Sequence, residues 1–415
     1  LELKFQYLKG SLMTIMIFED LLKACTSGGA STLVSVTELE PAAGAHASVA
    51  PAKFVDGRSS VFAFETRFID GLAARAVLLD SKQSQINRAE GAIMQDIRAE
   101  HPLLGKIPRI LVTYSDGQEF SDMELPHRFA DGHVRAGTID GEPTTANEAY
   151  RAVRNATPAD MSAILNTAPA AAVFGGWDST RKKNQVRLRS ALVGEIIGVL
   201  ADQDSSGQDQ QSRRGGARVD TVAMSVQLDP KEMEKLIDAQ EAELSDKLID
   251  KLRGEIKKAK KDKKLSASPL GLGGIPPQLD ALGGVACGKI IRSWVLSFAS
   301  LRQLRFGGNE EANVAGRALL AAFGLVAIAR AERELYLRAN CDLVEAGAPV
   351  VTLDERYGNK RILDPITVEL ADQLLEQAIN HARSTGVADW NGQILHVDGN
   401  QVILQGASDE SESED

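Results

Sequence analysis

Gly283, Gly288 and Lys289, in GGVACGKI, meet the first seven positions of the loop G-x-x-x-x-G-K-[ST], which cradles nucleotide phosphates. Phosphoryl transfer would also need a core strand before the glycines and a Ser or Thr hydroxyl on Mg²⁺ after the lysine. PPQLDAL precedes Gly283 and Ile290 follows Lys289, so the spacing does not make a nucleotide site. His127 and His133, in HRFADGH, have no third ligand at a metal-binding spacing. Cys25, Cys287 and Cys341 are an odd count with no C-x-x-C pair, as expected of plain thiols in a reducing cytoplasm. No G-x-S-x-G elbow is present. Asp178, in GGWDST, is a candidate catalytic acid, although an Asp at this kind of position more often caps a turn. The sequence therefore calls for no metal and no cofactor.

Basic and amide-rich segments carry more information. RKKNQVRLR places Arg181, Lys182, Lys183, Arg187 and Arg189 just after Trp177. RRGGAR sets Arg213, Arg214 and Arg218 in a glycine-rich stretch, and Lys289, Arg292, Arg302 and Arg305 follow later. Gln83, Ser84, Gln85, Asn87 and Arg88 crowd a helix start, where backbone N–H groups favour phosphate. Cations and amides on loops at strand ends suit a groove that tracks a nucleic-acid backbone. A net charge of −10 argues against indiscriminate coating but not against such a groove, because the local field decides binding.

The elements that must position these residues lie in a chain of 415 residues, 43% hydrophobic and 25% charged, ample for a large core. Residues 1–12 read as a leader outside the fold, with Met13 a more natural beginning. The closing SDESESED reads as a solvated acidic tail; without its five acids the net charge would be −5. ALLAAFGLVAIA, between Arg317 and Arg330, is too short to span a bilayer and predicts a buried helix. Strands are expected at 31–39, 61–69, 76–81, 169–180 and 219–228. Helices are expected from about residue 83, through 144–168 with caps at Thr145 and Thr157, and at 190–201, 310–334 and 364–384. Residues 202–218 read as a mobile loop. Asp229, Pro230 and Glu232 open a basic helical insertion over 229–264. A short terminal hairpin is expected to close the chain. Strands and helices interrupted by long loops predict an α+β fold, one elaborated domain over 13–405.

Several stretches in this order resemble a known family: LLDSKQSQINRAEGA, FGGWDST, SALVGEIIG, LGGIPPQ, LRQLRF and LRANCDLV. They are similar to the backbone subunit of the type I-G (formerly I-U) CRISPR effector complex, a RAMP protein of the Cas-seven group. The resemblance runs from about residue 19 to about residue 350. It implies an RRM-like (ferredoxin-like) core with a thumb and glycine-rich loops. It further implies a helical stack of copies along a CRISPR RNA, which is presented to target DNA for pairing in antiviral defence. The other partners implied are further effector subunits and a separate helicase-nuclease, and no membrane.

On this resemblance Gln83, Ser84, Gln85, Asn87 and Arg88 would meet guide phosphates or 2′-hydroxyls. Trp177 would pack near the RNA, with Arg181, Lys182, Lys183, Arg187 and Arg189 along the groove. The family usually has a glycine where this chain has Arg181. Arg213, Arg214 and Arg218 would belong to a thumb or target-facing loop. Lys289 would meet a guide phosphate, joined by Arg292, Arg302 and Arg305. The resemblance makes the chain a holder of RNA rather than an enzyme. The competing expectation is a RAMP-type endoribonuclease that cuts target RNA with Asp178.

Overall fold

The computed structural model describes residues 14–57, 59–182, 185–203, 214–217, 226–259, 263–273, 278–280 and 283–407. The chain forms two compact units, Leu1–Gly207 with Val285–Asp415, and Gln208–Gly284.

The larger unit is built on an antiparallel sheet. Its strands are β1 (Thr32–Pro41), β2 (Phe64–Ile69), β3 (Leu72–Asp80), β4 (Leu192–Leu200), β5 (Cys287–Ser297), β6 (Leu343–Glu345), β7 (Val350–Asp354) and β8 (Lys360–Leu363). They lie side by side as β8-β7-β1-β5-β4-β3-β2, with β6 also on β1. The long helices are α1 (Lys82–Arg98), α2 (Glu310–Arg333) and α3 (Val368–Ser384). Taken alone, β1, α1, β4, β5, α2 and β7 follow the chain order β-α-β-β-α-β. Their four strands lie as β7-β1-β5-β4, the connection pattern of a ferredoxin-like split β-α-β unit. The expected α+β class is therefore what the chain adopts.

Alternation explains the strands. In β1, Leu33, Ser35, Thr37 and Leu39 are buried while Val36, Glu38 and Glu40 are exposed. In β5, Ile290, Arg292, Trp294 and Leu296 point inward. Gly194 of β4 makes room for the Trp294 indole; a Cβ there would sit 2.3 Å from its ring. The predicted buried helix is α2, long and apolar enough to cross a membrane, but 94% of its apolar window is buried within the protein. Its bracketing arginines are buried and neutralised: Arg330 donates to Asp96 (2.8 Å) and Asp372 (2.8 Å), and Arg317 to Glu310 (2.9 Å).

Four elements differ from the sequence expectation. The helix expected at 190–201 is strand β4, because Val193, Ile196, Ile197 and Val199 are β-branched and β3 and β5 flank it on both sides. The strand expected at 169–180 begins as the helix Ala170–Phe174, favoured by its alanine run, and becomes extended only at Gly176–Trp177. Helix Glu148–Asn155 is capped by Asn147 rather than Thr145, and Asn147 accepts from the Tyr150 N–H at 3.1 Å. The closing segment is strand Ile394–Asp398, parallel to Arg109–Thr113, followed by helix Gln401–Ala407 in place of a hairpin. The leader and the acidic tail, most of the loop expected at 202–218, and residues 219–225 of the strand expected at 219–228 lie outside the described residues.

In the smaller unit the insertion is two helices, Pro230–Gln240 and Asp246–Lys258. Asp229 caps the first in a capping box with Glu232, as expected, and Ser245 caps the second. Met233, Ile237, Ile249, Leu252 and Ala267 form a core of their own.

Candidate nucleic-acid interface

Ser81 stops β3 and caps α1, accepting from the Ser84 N–H at 3.2 Å. Helical periodicity then divides the motif DSKQSQINR between two flanks. Lys82, Gln83 and Asn87 are exposed along one flank, and Gln83, Asn87 and Gly91 form a single i, i+4, i+8 row. Ser84, Gln85 and Arg88 lie on the other flank and converge on the buried Asp80 carboxylate. Ser84 Oγ donates to it at 3.0 Å, Gln85 Nε2 at 2.7 Å and Arg88 Nε at 3.1 Å. Arg338 adds a fourth donor at 2.5 Å.

The GGWDST segment approaches this helix from the end of Ala170–Phe174. Gly175 takes φ 93°, a backbone suited to glycine, and turns the chain. Gly176–Trp177 then pairs with Arg187–Leu188, setting Trp177 directly opposite Arg187. The guanidinium lies 5.1 Å from the ring centroid, and the indole is 49% exposed, so Trp177 is a surface aromatic. Asp178 anchors the loop from below. It is buried, it accepts from Arg154 Nε at 2.8 Å and Thr180 Oγ1 at 3.3 Å, and its N–H donates to the Val186 carbonyl.

Arg128 joins the two segments. It donates to Glu90 of α1 at 2.6 and 2.7 Å and to the Gly175 carbonyl at 3.0 Å, from a backbone at φ 49°. Burial pushes the Glu90 carboxyl up to about 7, against the pull of the Arg128 charge. Together these elements enclose an open groove of about 930 Å³. Lys82, Gln83, Asn87, Arg128, Trp177 and Arg187 are among its polar and aromatic lining, with one acid, Glu124, also at its edge. A neighbouring groove of about 390 Å³ is edged by Arg187 and Arg189. A sequence-tolerant stacking face beside amides and cations is what an unpaired nucleic-acid strand requires.

Of the residues expected at an RNA surface, Gln83, Asn87, Trp177 and Arg187 therefore share one groove, Arg189 edges the next, and Lys182 and Arg305 are exposed elsewhere. Several others are corrected. Gln85 is 3% exposed and bound to Asp80, and Ser84 and Arg88 spend their donors on the same carboxylate. Arg292 points into the core beside Glu345 (3.2 Å) and Glu332 (3.8 Å), because its strand position faces inward. Arg302 donates to the carbonyl oxygens of Ala24 and Ala30. Arg181 holds Asn155 Oδ1 at 2.7 Å. Lys289 lies within β5, not on a loop, with Asp70 at 3.6 Å and Glu38 at 3.9 Å to offset its charge. Arg214 opens a short strand opposite Gln278–Asp280, while Lys183, Arg213 and Arg218 lie outside the described residues. His127 lines the groove while His133 bonds the Tyr114 hydroxyl at 2.5 Å, and no group of three metal-ligating side chains occurs among the described residues.

Lys82 and Arg128 were not singled out by sequence. Lys82 sits inside DSKQSQINR and follows from helical spacing. Arg128 carries no local signal, since its partner Glu90 is distant in the chain.

A family model described as CRISPR-associated protein GSU0053 (Cas_GSU0053) matches residues 33–203. That stretch runs from β1 through β4 and contains every residue of the groove. No curated protein matches the chain. Over that stretch the chain is similar to the CRISPR-associated group that the GSU0053 model describes.

Proposed function

We propose that the chain is an RNA-binding backbone subunit of a type I CRISPR effector complex, of the I-G kind. It holds CRISPR RNA in the groove of Gln83, Asn87, Trp177 and Arg187, and copies of it stack along the guide and present it to target DNA. Other effector subunits and a helicase-nuclease complete the complex. The observation that carries this reading is the convergence of DSKQSQINR and FGGWDST on one open groove with an exposed indole. Lys82, Gln83 and Asn87 suit phosphate and 2′-hydroxyl contacts, which hold a guide of any sequence, and Trp177 suits stacking.

In this reading the subunit holds RNA and does not cut it. The endoribonuclease alternative needs Asp178 free to act on RNA, yet both its oxygens already accept hydrogen bonds and the carboxylate is buried. Asp178→Ala separates the two readings: weaker RNA binding and a less stable loop are expected, whereas lost cleavage with intact binding would favour the enzyme. The direct test is the 260/280 nm absorbance ratio of the purified protein before and after ribonuclease, together with its mass by size exclusion. A large, ribonuclease-sensitive assembly is expected; a monomer that ignores CRISPR RNA at low salt would overturn the proposal.

A further inference from the structure

Two carboxylates and one guanidinium meet beneath the groove. Glu90 of α1 is 1% exposed, and Asp122, just before the groove wall 123–128, is equally buried. Arg128 meets Glu90 through Nε at 2.6 Å and Nη2 at 2.7 Å. Its Nη1 donates to the Gly175 carbonyl at 3.0 Å, and its guanidinium lies 5.9 Å from the centroid of the Phe174 ring. Asp122 Oδ1 accepts from the Ile110 N–H at 3.1 Å and the Ser121 hydroxyl at 3.2 Å, while its Oδ2 is buried with no hydrogen-bond partner among the described residues. Two buried carboxylates against one contacting guanidinium leave a negative charge uncompensated, which favours keeping a proton in the cluster. Burial accordingly raises Glu90 to about 7 and Asp122 to about 6, and because each acid disfavours charge on the other they titrate as a coupled pair.

The surrounding charges are engaged elsewhere. Arg109 senses the Asp122 charge but donates to the Ile107 carbonyl at 3.3 Å. On the elements packed against α1, Glu195 of β4 holds Arg67 at 3.0 Å, with Lys82 at 3.8 Å. Arg330 and Arg333 of α2 each hold Asp96 at 2.8 Å, and Glu332 accepts from Ser35 at 3.1 Å. Glu124 holds Arg98 at 2.5 Å, His101 lies 3.4 Å from Asp372, and Asp131 accepts from the His127 and His133 backbone N–H groups.

Arg128 is where the groove meets this cluster. With Nε, Nη2 and Nη1 each donating once, one N–H remains on each terminal nitrogen, and a phosphate is the acceptor these suit. A phosphate there would draw the guanidinium charge away from Glu90 and bring a negative charge of its own. Both effects favour the neutral carboxyl. A protonated Glu90 still offers Arg128 an acceptor oxygen, so the bond to Gly175, and with it the Trp177 segment, stays in place while the positive charge is released to the groove. We infer that Glu90 and Arg128 are a proton-linked positioning pair: an RNA phosphate engages Arg128 from the groove, and the carboxylates beneath take up a proton from solvent as it does. This rests on the reading of the groove as an RNA site and adds its regulation, since RNA affinity must then rise as pH falls.

The test is the affinity of the full chain for a single-stranded RNA across about pH 6.5 to 8.5, at fixed ionic strength because salt alone moves phosphate contacts. Wild-type affinity should fall about tenfold over that range, an average uptake of about half a proton per complex. Glu90→Gln keeps an acceptor for Arg128 but cannot titrate, so its affinity should stay within about twofold throughout and match the wild type at the acidic end. Binding calorimetry at about pH 7.5 in two buffers of different ionisation enthalpy should count about half a proton or more for the wild type and close to none for Glu90→Gln. If Glu90→Gln does not fold, Asp122→Asn carries the test: with one acid left against Arg128, the fall should move to lower pH. Histidine also gains charge near neutral pH, so His127→Gln, at the groove, must keep the wild-type slope whatever it does to affinity. A slope that persists in Glu90→Gln, vanishes in His127→Gln or runs with the opposite sign overturns the inference. Trp177→Ala tells the two failures apart. Weakened binding in that variant beside a flat wild-type profile keeps the groove and removes the proton link, whereas unchanged binding removes the groove and the link with it.

Discussion

Asp80→Ala is the sharpest perturbation of the interface, although Asp80 faces no ligand. The carboxylate is fully buried at the end of β3 and compensates two guanidiniums, Arg88 at 3.1 Å and Arg338 at 2.5 Å. It also accepts from Ser84 and Gln85, fixing the first turns of α1. Removing one partner of a buried ion pair costs about 3–5 kcal/mol. Because each guanidinium is 27% exposed and regains some hydration, we expect the lower end, about 3 kcal/mol. Two units make a single two-state transition a poor measure, so urea unfolding should be paired with hydrogen exchange read on residues 81–88. Asp80→Ala should speed exchange there and weaken RNA binding, since Gln83 and Asn87 ride on the same helix. In a cycle with Arg338→Ala, the coupling should be about 1–3 kcal/mol. A loss below about 0.5 kcal/mol, the usual size for a surface change, would refute the reasoning. Unchanged exchange with additive double-mutant energies would refute it as well.

Two further outcomes follow from other parts of the larger unit. Burial raises Glu90 to about 7 and Asp122 to about 6 in the folded protein, so the folded state keeps protons that the unfolded chain releases. Their contribution to stability is present below the ordinary carboxylate values and is lost as pH rises through the raised ones. Melting temperatures between about pH 4.5 and 7 should therefore fall more steeply in the wild type than in Glu90→Gln, and a steeper fall in the variant would contradict this. Gly194→Ala would force a Cβ to 2.3 Å from the Trp294 ring, an overpacking expected to cost about 1–3 kcal/mol in chemical denaturation; a neutral change would show that the strand pair has slack.

Much of the groove was legible in DSKQSQINR and FGGWDST, which name both walls. The division of labour within the first motif was not. Helical spacing separates Gln83 and Asn87 from Ser84, Gln85 and Arg88, but which flank faces in depends on Asp80 and Arg338, which only the tertiary fold brings there. Arg292 was readable in principle, since Ile290, Arg292, Trp294 and Leu296 alternate as one inward face. The segment 192–200 satisfies helical and strand periods alike, and only its β-branched content and its place between two strands decide for the strand. The bond between Arg128 and Glu90 has no local trace, because the two are 38 residues apart.

The central claim is that the groove holds unpaired RNA. It is tested most directly by the affinity of the full chain for single-stranded RNA of arbitrary sequence, with and without Trp177→Ala and Arg187→Ala. Loss of one stacking aromatic should cost about 1–3 kcal/mol, roughly a tenfold to hundredfold fall, and loss of Arg187 should also make the salt slope shallower by about 0.7. Affinity and slope unchanged in both variants, with the fold intact, would place the RNA elsewhere and contradict the account.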